Sequence, residues 1–269
     1  MHIDLFDQYR HAHSPVHALD PRAKLTAALL FILAAALTPD GAWLAFAALG
    51  ALWLAVALVS DVSLALLLRR GLVALPFALA AVTVLFTLPG WPLLVIPLPL
   101  SDGHLVISDN GAIRFLTIML KSWLSVLMAL LLTATTTFPD TLRSLRGIGV
   151  PRVIVGVLAF MYRYIFVLGD EVLRLLRARE ARMAAGPPGL ARRSGGSIVW
   201  RARVVGAMVG SLFVRSLDRS DRVYNAMISR GYSGELLWLD KPTLRAADVA
   251  WTGAFVLVLV LIELWARLL

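Results

Sequence analysis

Ser216-Leu-Asp-Arg-Ser-Asp-Arg-Val-Tyr-Asn-Ala-Met-Ile-Ser-Arg-Gly-Tyr-Ser-Gly234 has the spacing of an amphipathic helix. Leu217, Val223, Tyr224, Met227 and Ile228 fall towards one side, and Asp218, Arg222, Asn225 and Ser229 towards the other. Gly231 is a suitable stop, because glycine enters the left-handed turn that closes many helices. The stretch therefore reads as a helix ending in an exposed arginine, Arg230. By itself it fits a surface helix on anionic lipid as well as it fits a specific docking element. The rest of the chain separates the two.

Hydrophobic residues make up 59% of the 269, the mean hydropathy is +0.79, and charged residues are 16%, against about 25% in soluble domains. This is the composition of an integral membrane protein. With no cysteine, the chain has no disulfide, thiolate metal site or cysteine nucleophile. The net charge of +9 is not spread evenly: residues 141 to 245 hold 18 Lys and Arg against 7 Asp and Glu, and the remainder holds 8 against 10. Lys and Arg concentrate in cytoplasmic loops of membrane proteins, so the basic region marks the cytoplasmic face. Nucleic acid is not indicated, since no basic module with interleaved aromatics is present.

Residues 1 to 24 are polar and carry His2, His11, His13 and His17. Metal binding needs a fixed ligand set, usually with carboxylate or thiolate company, and nothing here fixes one. Asp20 before Pro21 is an N-cap followed by proline at the first helical position, so a helix starts there. Leu25 to Leu37 and Ala42 to Val59 form an antiparallel pair of spans around Thr38-Pro-Asp-Gly41. The first is shorter than the ~20 residues that cross a bilayer, and Lys24 snorkelling or a thinned bilayer accommodates it. A cleaved signal peptide is disfavoured by the long polar leader and the immediate second span.

Ser60 to Arg70, with Arg69 and Arg70, is a short internal connection, and Gly71 to Leu88 a third span kinked at Pro76. Pro89 to Gly111 has no lysine or arginine and reads as the external loop, with Leu105-Val-Ile-Ser and Asp-Asn-Gly111 signalling a small hairpin. A fourth span, Ala112 to Thr137, carries Arg114 and Lys121. Lys121 either snorkels to the outer surface or lines a pathway. After a short amphipathic turn at Thr141 to Arg146, two long helices follow, Arg152 to Ala185 and Ser197 to Arg230, separated by Gly186-Pro-Pro-Gly189. Val249 to Ala266 is a last span, with Glu263 near its far end. An internal N-terminus and five spans leave the C-terminus outside, unless one of the semi-hydrophobic helices also crosses.

No Gly-x-x-x-x-Gly-Lys-Ser/Thr loop occurs, so the chain has no phosphate cradle of that kind. Ser194-Gly195-Gly196 lies in a linker of Arg, Gly and Ser and is read as coincidence. His-Glu-x-x-His, Gly-x-Ser-x-Gly and paired carboxylates in a span are also missing. An enzyme is therefore not expected, nor is a metal or cofactor bound by this chain.

Ser216-x-x-Arg-x-x-Arg-Val-Tyr-x-Ala-Met-x-x-Arg-Gly-Tyr-x-Gly234 strongly resembles the second coupling motif of the transmembrane T component of energy-coupling factor (ECF) transporters. Ala181-Arg182-Met183 resembles the first motif, with Met183 where the family usually has glycine, so Arg179 stands as a second candidate. His17-x-Leu-Asp-Pro-Arg-x-Lys24 matches the same family, which extends the resemblance over nearly the whole chain. The length and the Leu-Asp-Pro-Arg entry look most like the cobalt-uptake (CbiQ) branch, with the nickel (NikQ) branch next and a vitamin importer as a further alternative.

The resemblance implies an all-α integral membrane protein of the bacterial inner membrane, with about five transmembrane helices and long amphipathic cytoplasmic coupling helices. Residues 1–138, with an external loop at 89–111, and 249–269 would form the membrane part, and 139–248 the coupling region. It implies ATPase-coupling roles for Ala181, Arg182, Met183, Ser229, Arg230 and Gly231, supported by Arg219, Arg222, Tyr224 and Ala226. The implied partners are two CbiO-like ABC ATPases and a CbiM-like substrate-binding membrane protein with a CbiN-like small subunit. ATP and magnesium would sit on the ATPases and cobalt on the binding protein. Two readings from other classes compete: a self-sufficient channel or secondary transporter using Lys121, and a lipid-regulated adaptor binding anionic membranes through residues 170 to 222.

Overall fold

A computed structural model describes residues 14–74, 76, 81–97, 104–183, 197–234 and 245–268. These divide into two compact units, one within Asp4–Ile148 and Asp240–Leu269, the other within Gly149–Leu239.

The first unit opens with a short helix α1 (Pro15–Ala18), followed by α2 (Pro21–Leu37) and α3 (Trp43–Val59). α2 starts at the expected place: the Asp20 carboxylate accepts the Arg22 N–H at 2.8 Å, with Pro21 behind it at the first helical position. The expected connection Ser60 to Arg70 is instead largely helical, as α4 (Leu64–Gly71), because Leu67 gives the segment an apolar side that is fully buried. In its described residues the expected third span is helical but irregular: a 3₁₀ turn at Leu72–Ala74 follows α4 directly, and another at Ala81–Thr83 runs into a single turn α5 (Val84–Thr87). Pro76 lies between these pieces and supplies no N–H to a helical ladder.

The hairpin forms, but not around its expected turn. β1 (Pro92–Pro97) and β2 (His104–Ser108) pair antiparallel, with Val95 opposite Val106. Asp109, Asn110 and Gly111 instead begin α6 (Asp109–Thr135). The Ser108 hydroxyl accepts the Gly111 N–H at 3.0 Å and donates to the Leu88 carbonyl at 2.6 Å, so a helix cap takes the residues that signalled a turn. A β-carbon at Gly111 would lie 2.7 Å from the Leu85 carbonyl oxygen, which explains the glycine by close approach.

α7 (Phe138–Gly147) is capped by Thr137 and packs against α2, and α10 (Ala246–Leu268) completes the unit. Polar contacts give the relative directions. Lys24 at the start of α2 meets Thr135 at the end of α6, while Asp40, just after α2, meets Arg114 and Lys121 near the start of α6. α2 and α6 are thus antiparallel. α10 runs parallel to α2, since Thr38 and Glu263 meet near the ends of both. Between them, Phe31, Leu49, Trp53, Leu127, Leu131 and Leu259 form the core.

The second unit consists mainly of α8 (Arg152–Met183) and α9 (Ile198–Ser229), each 32 residues long. They are antiparallel: Phe160, early in α8, stacks edge-on to Tyr232 just beyond α9, and Glu171, later in α8, pairs with Arg215, earlier in α9. Val153, Val157, Met161 and Ile165 make an exposed apolar stripe on α8, and Val205, Val209, Phe213 and Leu217 another on α9. Among the described residues, α6, Arg152–Arg182 and α10 are long and apolar enough to cross a membrane, and α3 is a shorter apolar helix. The chain is an all-α membrane protein, with one small hairpin among its described residues.

Candidate coupling site

Arg230 is the cap residue of α9, and the next two residues set its direction. Gly231 has φ +81°, the left-handed conformation expected of a helix stop. The Tyr232 N–H then donates to the Met227 carbonyl at 3.0 Å and the Gly231 N–H to the Ile228 carbonyl at 2.9 Å. This bond pair is the Schellman motif, which satisfies carbonyls that the helix end would otherwise leave open. Tyr232 turns back with its ring centroid 6.5 Å from that of Phe160, so the chain is anchored immediately after the arginine. Arg230 itself is exposed.

The remaining motif residues divide into two groups. Arg222, Ala226 and Ser229 are exposed along α9 with Arg230, and the Ser229 hydroxyl donates to the Asn225 carbonyl at 2.9 Å. Arg219, Val223, Tyr224 and Met227 line a crevice towards α8. The helix is therefore less simply two-sided than its sequence indicates, since Leu217 and Ile228 are about half exposed. At the other motif, Ala181 and Arg182 are exposed in the last turn of α8, which ends at Met183. Arg179 is partly buried, and its Nε has no hydrogen-bond partner.

The antiparallel course puts the two arginines on opposite sides of the Glu171–Arg215 contact, in which the atoms are 3.1 Å apart. At 1.5 Å of rise per residue, Arg182 lies ~16 Å along α8 from that contact and Arg230 ~22 Å along α9. The unit thus presents two arginine-bearing helix ends directed apart. Glu171 also pairs with Arg174 at 3.0 Å. The Arg215 partner was not legible in sequence, because the two residues are on different helices and 44 positions apart.

Lys121 reaches Asp40 at 3.4 Å, and Arg114 approaches the same carboxylate at 3.8 Å. Its geometry is that of a lysine extended to the polar end of the helix bundle. His2, His11 and His13 lie outside the described residues, and the His17 Nδ1 is 2.7 Å from the Ser14 hydroxyl. Among the described residues, no three His, Cys, Asp or Glu side chains come together in a way that would hold a metal.

Lys24 is a residue whose importance the sequence only hinted at. Ahead of the apolar run Leu25 to Leu37, its amine donates to the carbonyls of His17 and Thr135, both at 3.1 Å, tying the N-terminal turn to the end of α6.

The family described as cobalt transport protein, CbiQ, matches residues 12–238. The energy-coupling factor transporter transmembrane protein EcfT of Lactococcus lactis subsp. cremoris is 27% identical over 282 residues, covering 98% of each chain. An uncharacterized protein of Methanocaldococcus jannaschii is 26% identical over 266 residues, covering 97% of this chain and 86% of its own. The nickel permease LarQ of Lactiplantibacillus plantarum is 27% identical over 149 residues, covering 52% of this chain and 50% of its own. With the family match running through both long helices and the arginine at the end of α9, this chain belongs to the CbiQ cobalt transport protein family and is a transmembrane T component of the ECF type.

Proposed function

We propose that this chain is the non-catalytic coupling subunit of a cobalt importer, linking two CbiO-like ATPases to a CbiM-like substrate-binding membrane protein and its CbiN-like small subunit. The carrying observation is the pair of exposed arginines, Arg182 and Arg230, at helix ends directed apart in one unit. Two such ends suit two similar sockets, and the planar guanidinium fork satisfies carboxylates or helix carbonyls where water is excluded. ATP and magnesium belong on the ATPases, and cobalt on the binding protein. Closure of the ATPase pair would displace the helix ends and tilt the substrate-binding partner.

In this reading the protein is a multi-pass protein of the bacterial inner membrane with its N-terminus inside. Residues 1–138 and 249–269 form the membrane part, with 89–111 outside, and 139–248 the cytoplasmic coupling region. The antiparallel order of α2 and α6 supports alternating passage, and the basic surplus of 141 to 245 supports the orientation. The family match supports cobalt, and the likeness to a nickel permease over about half the chain makes nickel the second reading. Cells expressing the whole complex should accumulate cobalt in preference to nickel, and an ATPase variant unable to bind ATP should abolish the uptake. Preferential nickel uptake would replace the cargo, and uptake by this chain alone in liposomes without ATP would overturn the coupling role.

A further inference from the structure

Between α8 and α9 lies a crevice of about 450 Å³. Its apolar lining comes from Phe160, Leu168 and Met227, and its polar lining includes Tyr164, Arg219 and Ser220. Arg219 is partly buried there, and among the described residues no carboxylate lies within ion-pair distance of it. Arg174 and Arg215 in the same unit differ in this respect, since both hold Glu171. A guanidinium in a half-enclosed, largely apolar slot favours an anion that it can grip with two N–H groups.

The surroundings indicate which anion. α8 is one of the helices long and apolar enough to enter a membrane, and its stripe Val153, Val157, Met161 and Ile165 is exposed on the helix that also supplies Phe160 and Tyr164. A large exposed apolar surface on such a helix meets hydrocarbon. Asp218 and Asp221 are exposed on α9 beside Arg219, so a peptide rich in carboxylates would meet like charge, whereas one phosphate with a hydrocarbon tail meets the arginine and the apolar floor. We propose that this crevice binds one anionic phospholipid, with its phosphate on Arg219, the hydroxyls of Tyr164 and Ser220 as further donors, and an acyl chain along Phe160, Leu168 and Met227. The site would tie the middle of the helix pair to the inner leaflet, separately from any contact made by Arg182 or Arg230.

Native mass spectrometry of the purified, delipidated full-length chain tests this by titration with phosphatidylglycerol, phosphatidylcholine and inorganic phosphate. The wild type should retain phosphatidylglycerol at about tenfold lower concentration than phosphatidylcholine, the scale of one charge-assisted contact. Arg219→Gln should make the two lipids equal. Ser220→Trp, which fills the slot and keeps the charge, should do the same, whereas Arg222→Gln, exposed one turn away, should leave the preference intact. Equal losses in Arg219→Gln and Arg222→Gln would reveal diffuse charge attraction and overturn the site. So would a preference surviving Ser220→Trp, or displacement of the lipid by millimolar inorganic phosphate. None of these readouts requires an ATPase, so the lipid site and the coupling role can fail independently.

Discussion

Arg230→Glu is expected to leave the protein folded in the membrane and to abolish its co-purification with the ATPase subunits. The side chain is exposed at the cap of α9, and the bonds that build the helix end run through backbone atoms of residues 227 to 232. The substitution therefore removes no internal contact of the cap. Its effect falls on the partner, where removing one member of a desolvated charge pair costs roughly 2–5 kcal/mol and reversing the sign adds repulsion. Coupled ATP hydrolysis should fall at least ~30-fold, the lower end of that range. Detergent solubilisation followed by affinity capture reads association, and reconstituted liposomes read hydrolysis. Retention of both would remove Arg230 from the coupling surface.

Gly231→Val is expected to reproduce much of that loss without touching the arginine. At φ +81° a β-branched residue is strained by about 1–3 kcal/mol. The strain comes from the backbone alone, because nothing lies within 4 Å of a β-carbon built there. The chain relieves it by leaving the left-handed turn, which breaks the Tyr232 bond to Met227 and releases Tyr232 from Phe160. Arg230 then ends a frayed helix, and coupled hydrolysis should drop about tenfold, as expected when a docking group loses its preset direction. Gly231→Asn is the control, since asparagine enters the left-handed region readily and should retain most activity. Equal loss in both variants, or none in the valine variant, would contradict the role given to the cap.

The parts of this structure that were legible in sequence are those decided within a few residues. Asp20 before Pro21 starts α2 because both the cap and the fixed proline φ are local, and Gly231 stops α9 for a local reason as well. Asn110-Gly111 misled because a turn signal and a helix start use the same residue types. Ser108 decides between them through its bond to Leu88, 20 residues earlier. The 3₁₀ turns that make the third span irregular were not legible, because composition does not report how the packing of α4 and the missing N–H of Pro76 shape the backbone. At the candidate coupling site the arginines were legible only through the resemblance of their motifs to a known family. What positions them was not, since Phe160 with Tyr232 and Glu171 with Arg215 pair residues of two different helices.

The Glu171–Arg215 contact does not divide the two helices evenly. Arg182 stands ~16 Å from it and Arg230 ~22 Å. The longer arm is held a second time close to its tip, by Tyr232 against Phe160, so a pull on Arg230 would pass directly to the first part of α8, whereas a pull on Arg182 would pass first to Glu171.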